Sequence, residues 1–176
     1  MDEPMSNLDY ELKIKLKLLI VNLLKESKTT GIIVTHDVLD ALEMSQKLII
    51  LNNGGIIQEG TPNEVYSSPI SKSAALLFGE TNFIPHELIP EAKNCFYDKE
   101  TDMNYVCVRP EQINIIHKKE DGLNKRTFFG KVISFSKIGP RIRIKLKCNK
   151  VDLEISTNSK VDFTIGQKLN VYLDLF

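Results

Sequence analysis

Hydrophobic periodicity divides this chain into a first part with helical spacing and a second part with the alternation typical of β-strands. After Asp9, the residues Leu12, Leu16, Leu19 and Leu23 recur at i, i+4, i+7 and i+11. This spacing predicts an amphipathic helix of about 18 residues. Alternate residues between positions 12 and 18 are also apolar, so a local strand is the alternative, but the length of the segment favours a helix.

Shorter apolar runs follow this helix. Residues 32–34 read Ile-Ile-Val and predict a strand buried on both faces, which implies a parallel α/β sheet. A helix is predicted over 37–45, opened by the acid Asp37, and a hairpin is predicted around the Asn-Asn-Gly-Gly turn at 52–55. A further helix starts at Thr61-Pro62 with a capping box to Glu64, and a short one is opened by Ser68-Pro69.

Beyond about residue 81 the apolar period changes to two. Alternating segments run from Val132 to Leu173, including Val161 and Phe163, and turn residues such as Gly139-Pro140 and Asn158-Ser159 separate them. Closely spaced strands of this kind predict a small β-barrel or sandwich. We therefore expect an α/β domain over residues 1–80 and an all-β barrel over residues 81–176.

Charge supports this division. The chain has 23 basic and 23 acidic side chains, but residues 1–80 hold 7 and 11 of them, whereas residues 81–176 hold 16 and 12. A net charge of zero does not favour a nucleic-acid partner. The apolar runs are shorter than the ~20 residues of a bilayer span, and the acidic start lacks signal-peptide character. The spacing of Cys95, Cys107 and Cys148 predicts reduced thiols in a cytosol.

The candidate chemistry lies near the start of the chain. Asp2-Glu3 is followed by Ser6-Asn7-Leu8-Asp9, and His36 comes 27 residues after Asp9. Each piece alone is also compatible with an acidic chain start or a structural histidine. In this order, with a helix and an apolar run between them, they resemble the second half of an ATP-binding-cassette (ABC) ATPase domain. In that family a Walker B Asp-Glu precedes a D-loop and a switch histidine.

The resemblance implies roles for these residues. Asp2 would hold Mg²⁺ through water, because that ion keeps part of its hydration shell. Glu3 would orient and deprotonate the attacking water, and His36 would bond the γ-phosphate of ATP. Ser6 and Asp9 would lie at the nucleotide sites between two such domains. The implied cofactors are ATP and Mg²⁺.

The second half also resembles a known domain. Its motifs are similar to the C-terminal TOBE-type, OB-like barrel of importer ATPase subunits for polyamines, ferric iron, oligosaccharides and oxyanions. We expect the Arg-Pro-Glu motif at 109–111 to be a rigid turn, and the basic stripe on alternate residues 141–147 to be a solvated face, rather than ligand sites. We also expect the mixed charges at 118–121 to form a solvated loop rather than a binding patch, and the remaining histidines to be loop residues. The residues that carry the resemblance are Phe78-Gly79-Glu80-Thr81-Asn82-Phe83, Val108-Arg109-Pro110-Glu111, Gly130-Lys131-Val132 and Gly166-Gln167-Lys168-Leu169-Asn170-Val171.

The sequence lacks the GxxxxGK[ST] loop and the LSGGQ-like signature of a complete ABC ATPase domain. We therefore expect a C-terminal portion of an ATP-hydrolysing importer subunit, inactive alone. Its expected partners are a second copy, transmembrane permease subunits and a periplasmic or extracellular substrate-binding protein, with a cytoplasmic location on the inner face of the membrane. One alternative is a stand-alone regulatory, ligand-binding barrel. Another is an OB-like nucleic-acid binder, for which Phe128-Phe129 and Tyr105 are the candidate stacking residues.

Overall fold

The computed structural model describes residues 1–116, 126–158 and 161–174. The chain divides into two compact units, Met1–Ser67 and Ser68–Phe176. This division comes earlier than the boundary expected between residues 80 and 81. The cause is the short helix α4 (Lys72–Leu77), which is bonded to the β-rich unit through Lys72 and Asp98, 2.7 Å apart.

The first unit begins with helix α1 (Tyr10–Ser27), which confirms the predicted 18-residue helix over the strand alternative. The Asp9 carboxylate caps it by accepting from Leu12 N at 2.9 Å. The predicted second helix is α2 (Val38–Met44). Its N-cap is Asp37, as the sequence predicts.

The hairpin and the third helix follow as predicted. Strands β1 (Leu48–Asn52) and β2 (Gly55–Gly60) pair antiparallel across a turn in which Asn53 and Gly54 have positive φ. Helix α3 (Pro62–Ser67) begins with the predicted capping box, because Glu64 Oε2 accepts from Thr61 N at 2.8 Å. The Glu64 N–H in turn donates to Thr61 Oγ1 at 3.3 Å.

The buried strand expected at 32–34 is not formed. Val34 makes a single parallel bridge to Asp2, and Ile32 is 77% exposed. A strand buried on both faces needs neighbouring strands and covering helices. In the described part of the first unit, the segment that contains Val34 is bridged only by the short segment that contains Asp2. The direction of pairing is parallel as predicted, but the extended sheet is absent from the described residues.

The apolar stripe of α1 is also largely uncovered. Leu12, Leu19 and Leu23 are each about half exposed, and Ile20 is the buried residue of this helix. Along the described chain, no helix combines the length and the apolar character needed to cross a bilayer.

The second unit opens with α4, whose N-cap is Ser71 and not the predicted Ser68-Pro69. Ser71 Oγ accepts from Ala74 N at 3.1 Å, a bond that a start at Pro69 would not provide. A three-stranded antiparallel sheet follows in the order β3-β5-β4, with short 3₁₀ turns at His86–Leu88 and Pro110–Gln112. Its strands are β3 (Asn82–Pro85), β4 (Cys95–Asp98) and β5 (Met103–Val108).

A five-stranded antiparallel sheet completes the second unit, in the order β6-β10-β7-β8-β9. Its edge strands contact each other, so the sheet is barrel-like and nearly closed. Buried residues alternate along the strands, as the period of two predicts. Phe163 is buried as part of the core, but it and Val161 lie outside any strand, against expectation. The strands are β6 (Ile113–Ile115), β7 (Thr127–Ile138), β8 (Arg141–Cys148), β9 (Asp152–Thr157) and β10 (Lys168–Leu173).

Gly130 allows β7 and β8 to approach closely. A Cβ atom at this position would lie 2.7 Å from the carbonyl oxygen of Lys147, a distance that real Cβ atoms do not show. The glycine of the Gly130-Lys131-Val132 motif is therefore explained by packing within the sheet.

The basic stripe on β8 is a solvated face, as predicted. Arg143, Lys145 and Lys147 are exposed and pair with acidic side chains at 2.6–2.9 Å. The three cysteines are free, also as predicted. The histidine His117, the mixed charges at 118–121 and the Ser159 half of the predicted turn lie outside the described residues.

Candidate functional site

The site is formed where the start of the chain meets the segment after Val34. Val34 N donates to Met1 O at 2.9 Å, and Glu3 N donates to Val34 O at 2.8 Å. These backbone bonds bring two distant segments together. As a result, Nδ1 of His36 lies 2.6 Å from Oε1 of Glu3, although the residues are 33 positions apart.

Glu3 has an unusual backbone conformation, with φ at +41°. Its carbonyl oxygen accepts from Ser6 N at 3.1 Å and from Ser6 Oγ at 2.9 Å, and these bonds close a tight turn. Positive φ is uncommon for a residue with a side chain, and Asn7 in the same segment also has it, at +62°. Such conformations cost of order 1–3 kcal/mol and cluster at functional sites.

A cavity of about 340 Å³ lies beside this pair. Of the five candidate residues, Glu3, Ser6 and His36 line it, whereas Asp2 and Asp9 do not. Asp2 is exposed and takes part in the backbone bridge to Val34, and Asp9 caps α1. The other lining residues are Met5, Asn7, Leu8, Lys13, Thr35, Asp37 and Asp40.

Three charges act on His36. The Glu3 carboxylate, which accepts a hydrogen bond from the imidazolium and carries a negative charge, raises the pKa of His36, and Asp37 adds a smaller effect in the same direction. The positive charge of Lys13 opposes them. His36 is 79% exposed, so both solvent and a bound ligand can reach its ring.

Lys13 and Asp40 were not identified from the sequence. Lys13 pairs with Asp37 and lies 3.0 Å from Asp40, which joins the start of α2 to α1 beside the cavity. The signal in the sequence is weak, because the spacing of Lys13 and Lys17 by four residues is also typical of any solvated helix face.

Mg²⁺ in proteins prefers oxygen donors, above all the carboxylates of Asp and Glu. Across residues 1–116, 126–158 and 161–174 there is no group of three or more His, Cys, Asp or Glu side chains placed to hold a metal ion. Asp2 offers one exposed carboxylate, a hard oxygen donor. Because Mg²⁺ is commonly bound by one or two carboxylates together with substrate phosphates, Asp2 fits this ion only as a partner of a bound nucleotide.

The contact between Glu3 and His36 leads to a first prediction. In the Glu3→Gln variant the pKa of His36 should fall towards its ordinary value, because the neutral amide no longer stabilises the imidazolium. An NMR titration of the imidazole signals measures this. Glu11→Gln is the matched control, since Glu11 pairs with Lys15 on the exposed side of α1. A pKa that is unchanged in Glu3→Gln would show that the contact is not formed in solution.

The homologues of this chain are ATP-binding subunits of ABC importers. They align over most of the chain, which is consistent with a C-terminal portion of such a subunit. This confirms the resemblance to ABC importer ATP-binding subunits that was drawn from the sequence. No protein-family model matches the chain.

Three relatives illustrate the similarity. The spermidine/putrescine import ATP-binding protein PotA of Clostridium acetobutylicum is 32% identical over 94% of this chain and 49% of the relative. The sn-glycerol-3-phosphate import ATP-binding protein UgpC of Bartonella bacilliformis is 29% identical over 96% of this chain and 49% of the relative. PotA of Thermotoga maritima is 36% identical over 68% of this chain and 37% of the relative. The chain thus spans about half the length, or less, of these curated relatives.

Proposed function

We propose that this chain is the C-terminal portion of the ATP-hydrolysing subunit of an ABC importer. The observation that carries the proposal is the 2.6 Å contact between Glu3 and His36 beside a polar cavity, in a chain whose homologues are ABC import ATP-binding proteins. The relatives named above import spermidine and putrescine or sn-glycerol-3-phosphate, which favours an organic cation or a phosphorylated polyol as the imported substrate class.

In this proposal Glu3 is the general base. Transfer of a phosphoryl group to water depends mainly on positioning and charge stabilisation, so Glu3 would orient the attacking water and also accept its proton. His36 has Nδ1 at Glu3, and its Nε2 is then the atom that donates to the γ-phosphate oxygen. The carboxylate at Asp2 would help hold Mg²⁺, which supplies positive charge against the phosphates.

Ser6 and Asp9 have a different proposed role. Both belong to the short segment between Glu3 and α1, and we assign them to the nucleotide sites between two copies of the subunit. Asp9 also caps α1, so its carboxylate would connect these nucleotide sites to the start of that helix. The wider assembly would contain transmembrane permease subunits and an external substrate-binding protein, with this subunit on the cytoplasmic face of the membrane.

The second unit would be the OB-like TOBE-type regulatory barrel. Its nearly closed five-stranded sheet supports this assignment. Nucleic-acid binding is less well supported, because the basic residues of β8 are paired with acids and the Tyr105 ring lies 4.3 Å from the Lys72 ammonium.

A chimeric subunit tests the proposal. The N-terminal half of the Clostridium relative, joined ahead of Asp2 of this chain, should hydrolyse MgATP, because it would supply the phosphate-binding loop absent from this sequence. The present chain alone should show no turnover. A folded chimera that binds ATP without hydrolysing it would contradict the assignment of Glu3 and His36. Micromolar ATP binding by the present chain would contradict the need for the loop.

A further inference from the structure

A cluster of charged side chains joins α1 to α2 next to the Glu3–His36 pair. Its centre is Asp40, which is only 3% exposed. Lys13 Nζ lies 3.0 Å from one oxygen of Asp40, and Lys17 Nζ lies 2.7 Å from the other. Lys13 also bonds Asp37, and Lys17 bonds Glu43 at 2.8 Å. A buried carboxylate is costly unless it is paired, and because two ammonium groups share Asp40, loss of either lysine leaves Asp40 paired with the other.

The cluster reaches the catalytic histidine through Asp37. This residue follows His36 directly, and its carboxylate caps α2 by accepting from Leu39 N at 2.9 Å. Its backbone N–H donates to Thr35 Oγ1 at 3.0 Å, so the residues on both sides of His36 are held together. The exposed imidazole itself has little packing to fix it. The position of the His36 backbone therefore depends on where Asp37 is anchored.

We propose that Lys13 and Asp40 are positioning residues that hold His36 against Glu3. Lys13 is bonded to both Asp37 and Asp40, so it ties the segment that carries His36 to the first turn of α1. Lys17 shares Asp40 but does not bond Asp37, which makes it the matched comparison. The catalytic relevance of this arrangement rests on the proposed function, whereas the positioning itself concerns this chain alone.

Loss of Lys13 has two effects of opposite sign on His36. The groups acting directly on the imidazole are Glu3 from the turn before α1, Asp37 at the start of α2 and Lys13 from α1. Removing the Lys13 charge alone would raise the pKa of His36. Releasing Asp37 would instead weaken the contact with Glu3, which would lower that pKa. The direction of the change therefore distinguishes positioning from simple charge repulsion.

The test is an NMR titration of His36 in the full 176-residue chain, in buffer with EDTA. In Lys13→Met we expect the pKa of His36 to fall by roughly 0.5 or more. Lys17→Met should leave the pKa of His36 close to the wild-type value. Lys13→Arg, which keeps the positive charge, should also leave it close to that value. A pKa that rises or stays constant in Lys13→Met would overturn the proposal.

Asp40→Asn provides a second route if Lys13→Met does not fold. Asp40 pairs with Lys13 and Lys17 and not with His36, so the direct effect of its charge on the imidazole should be small, and a fall in the pKa of His36 as large as that expected for Lys13→Met would report lost positioning. An unchanged pKa would overturn the proposal. ATP hydrolysis is not measured here, so failure of this inference is distinct from failure of the proposed function, which the chimera tests.

Discussion

Replacing Glu3 by glutamine should lower ATP hydrolysis by the complete subunit by roughly 10²–10⁴-fold while ATP binding is retained. The amide keeps the size of the side chain and can still accept a hydrogen bond from His36, whose Nδ1 lies 2.6 Å from the carboxylate. It cannot take a proton from water at neutral pH. The expected loss is therefore in kcat, because binding of the phosphates does not depend on the basicity of Glu3.

Steady-state hydrolysis and equilibrium nucleotide binding, measured on the chimeric subunit, separate these effects. Glu11→Gln serves as the control, since it removes the same charge from an exposed position on α1. Hydrolysis within a few-fold of wild type in Glu3→Gln would exclude Glu3 as the general base. His36→Ala would then become the more informative variant.

Local signals in the sequence predicted the elements whose stabilising contacts are also local. Helix α1 has its cap at Asp9, and α3 has its reciprocal bonds between Thr61 and Glu64, all within a few residues of the helix start. The hairpin is set by Asn53 and Gly54, whose positive φ the turn requires. Such elements can be read from a sequence because each contact partner lies within about one helical turn or one hairpin loop.

Residues 32–34 show where this reasoning fails. Their composition suits a buried strand, but a strand is buried only if other strands and helices cover it. Ile32 is 77% exposed, and Val34 has one parallel partner, Asp2. The pattern therefore reports what the segment can form, whereas the structure depends on partners far away in the chain or outside it.

The candidate site was likewise only partly predictable from the sequence. The resemblance to ABC ATPase domains pointed to Glu3 and His36, and the structure brings these two side chains into contact. Lys13 and Asp40 could not be predicted, because their pairing depends on how α1 packs beside α2. The short helix α4 was predicted, but its packing on the β-rich unit was not, for a related reason. Arg109, only 2% exposed, donates through Nη1 to the Ala75 carbonyl at 3.0 Å, a contact 34 residues apart in sequence.

The last prediction concerns Asn82, which links the two sheets of the second unit. This side chain is 4% exposed. Its Nδ2 donates to Val108 O at 3.1 Å and to Glu154 O at 2.8 Å, and its Oδ1 accepts from Glu154 N at 2.6 Å. Asn82 thus bonds both backbone groups of one residue on β9 from the first residue of β3.

Asn82→Asp should reduce the free energy of unfolding of the second unit by about 3 kcal/mol or more at neutral pH. The substitution keeps the shape but replaces the donor by an oxygen that faces two carbonyl oxygens. Burial and this repulsion would raise the folded-state pKa of the new carboxyl above its unfolded value. The neutral acid can donate to one carbonyl, so the loss of stability should be smallest at low pH and should grow as pH rises through that raised pKa.

Urea unfolding of the full chain at several pH values, followed by the amide NMR signals of β8 and β9, measures this loss. Asn104→Asp on β5 is the matched control, because the same chemical change there is made at an exposed side chain. It should alter stability by no more than about 0.5 kcal/mol. A similarly small effect for Asn82→Asp would mean that the bonds to Glu154 and Val108 do not hold the two sheets together. A loss that failed to grow with pH would instead mean that the introduced carboxyl escapes to solvent, and that β3 can separate from β9 without unfolding the barrel-like sheet.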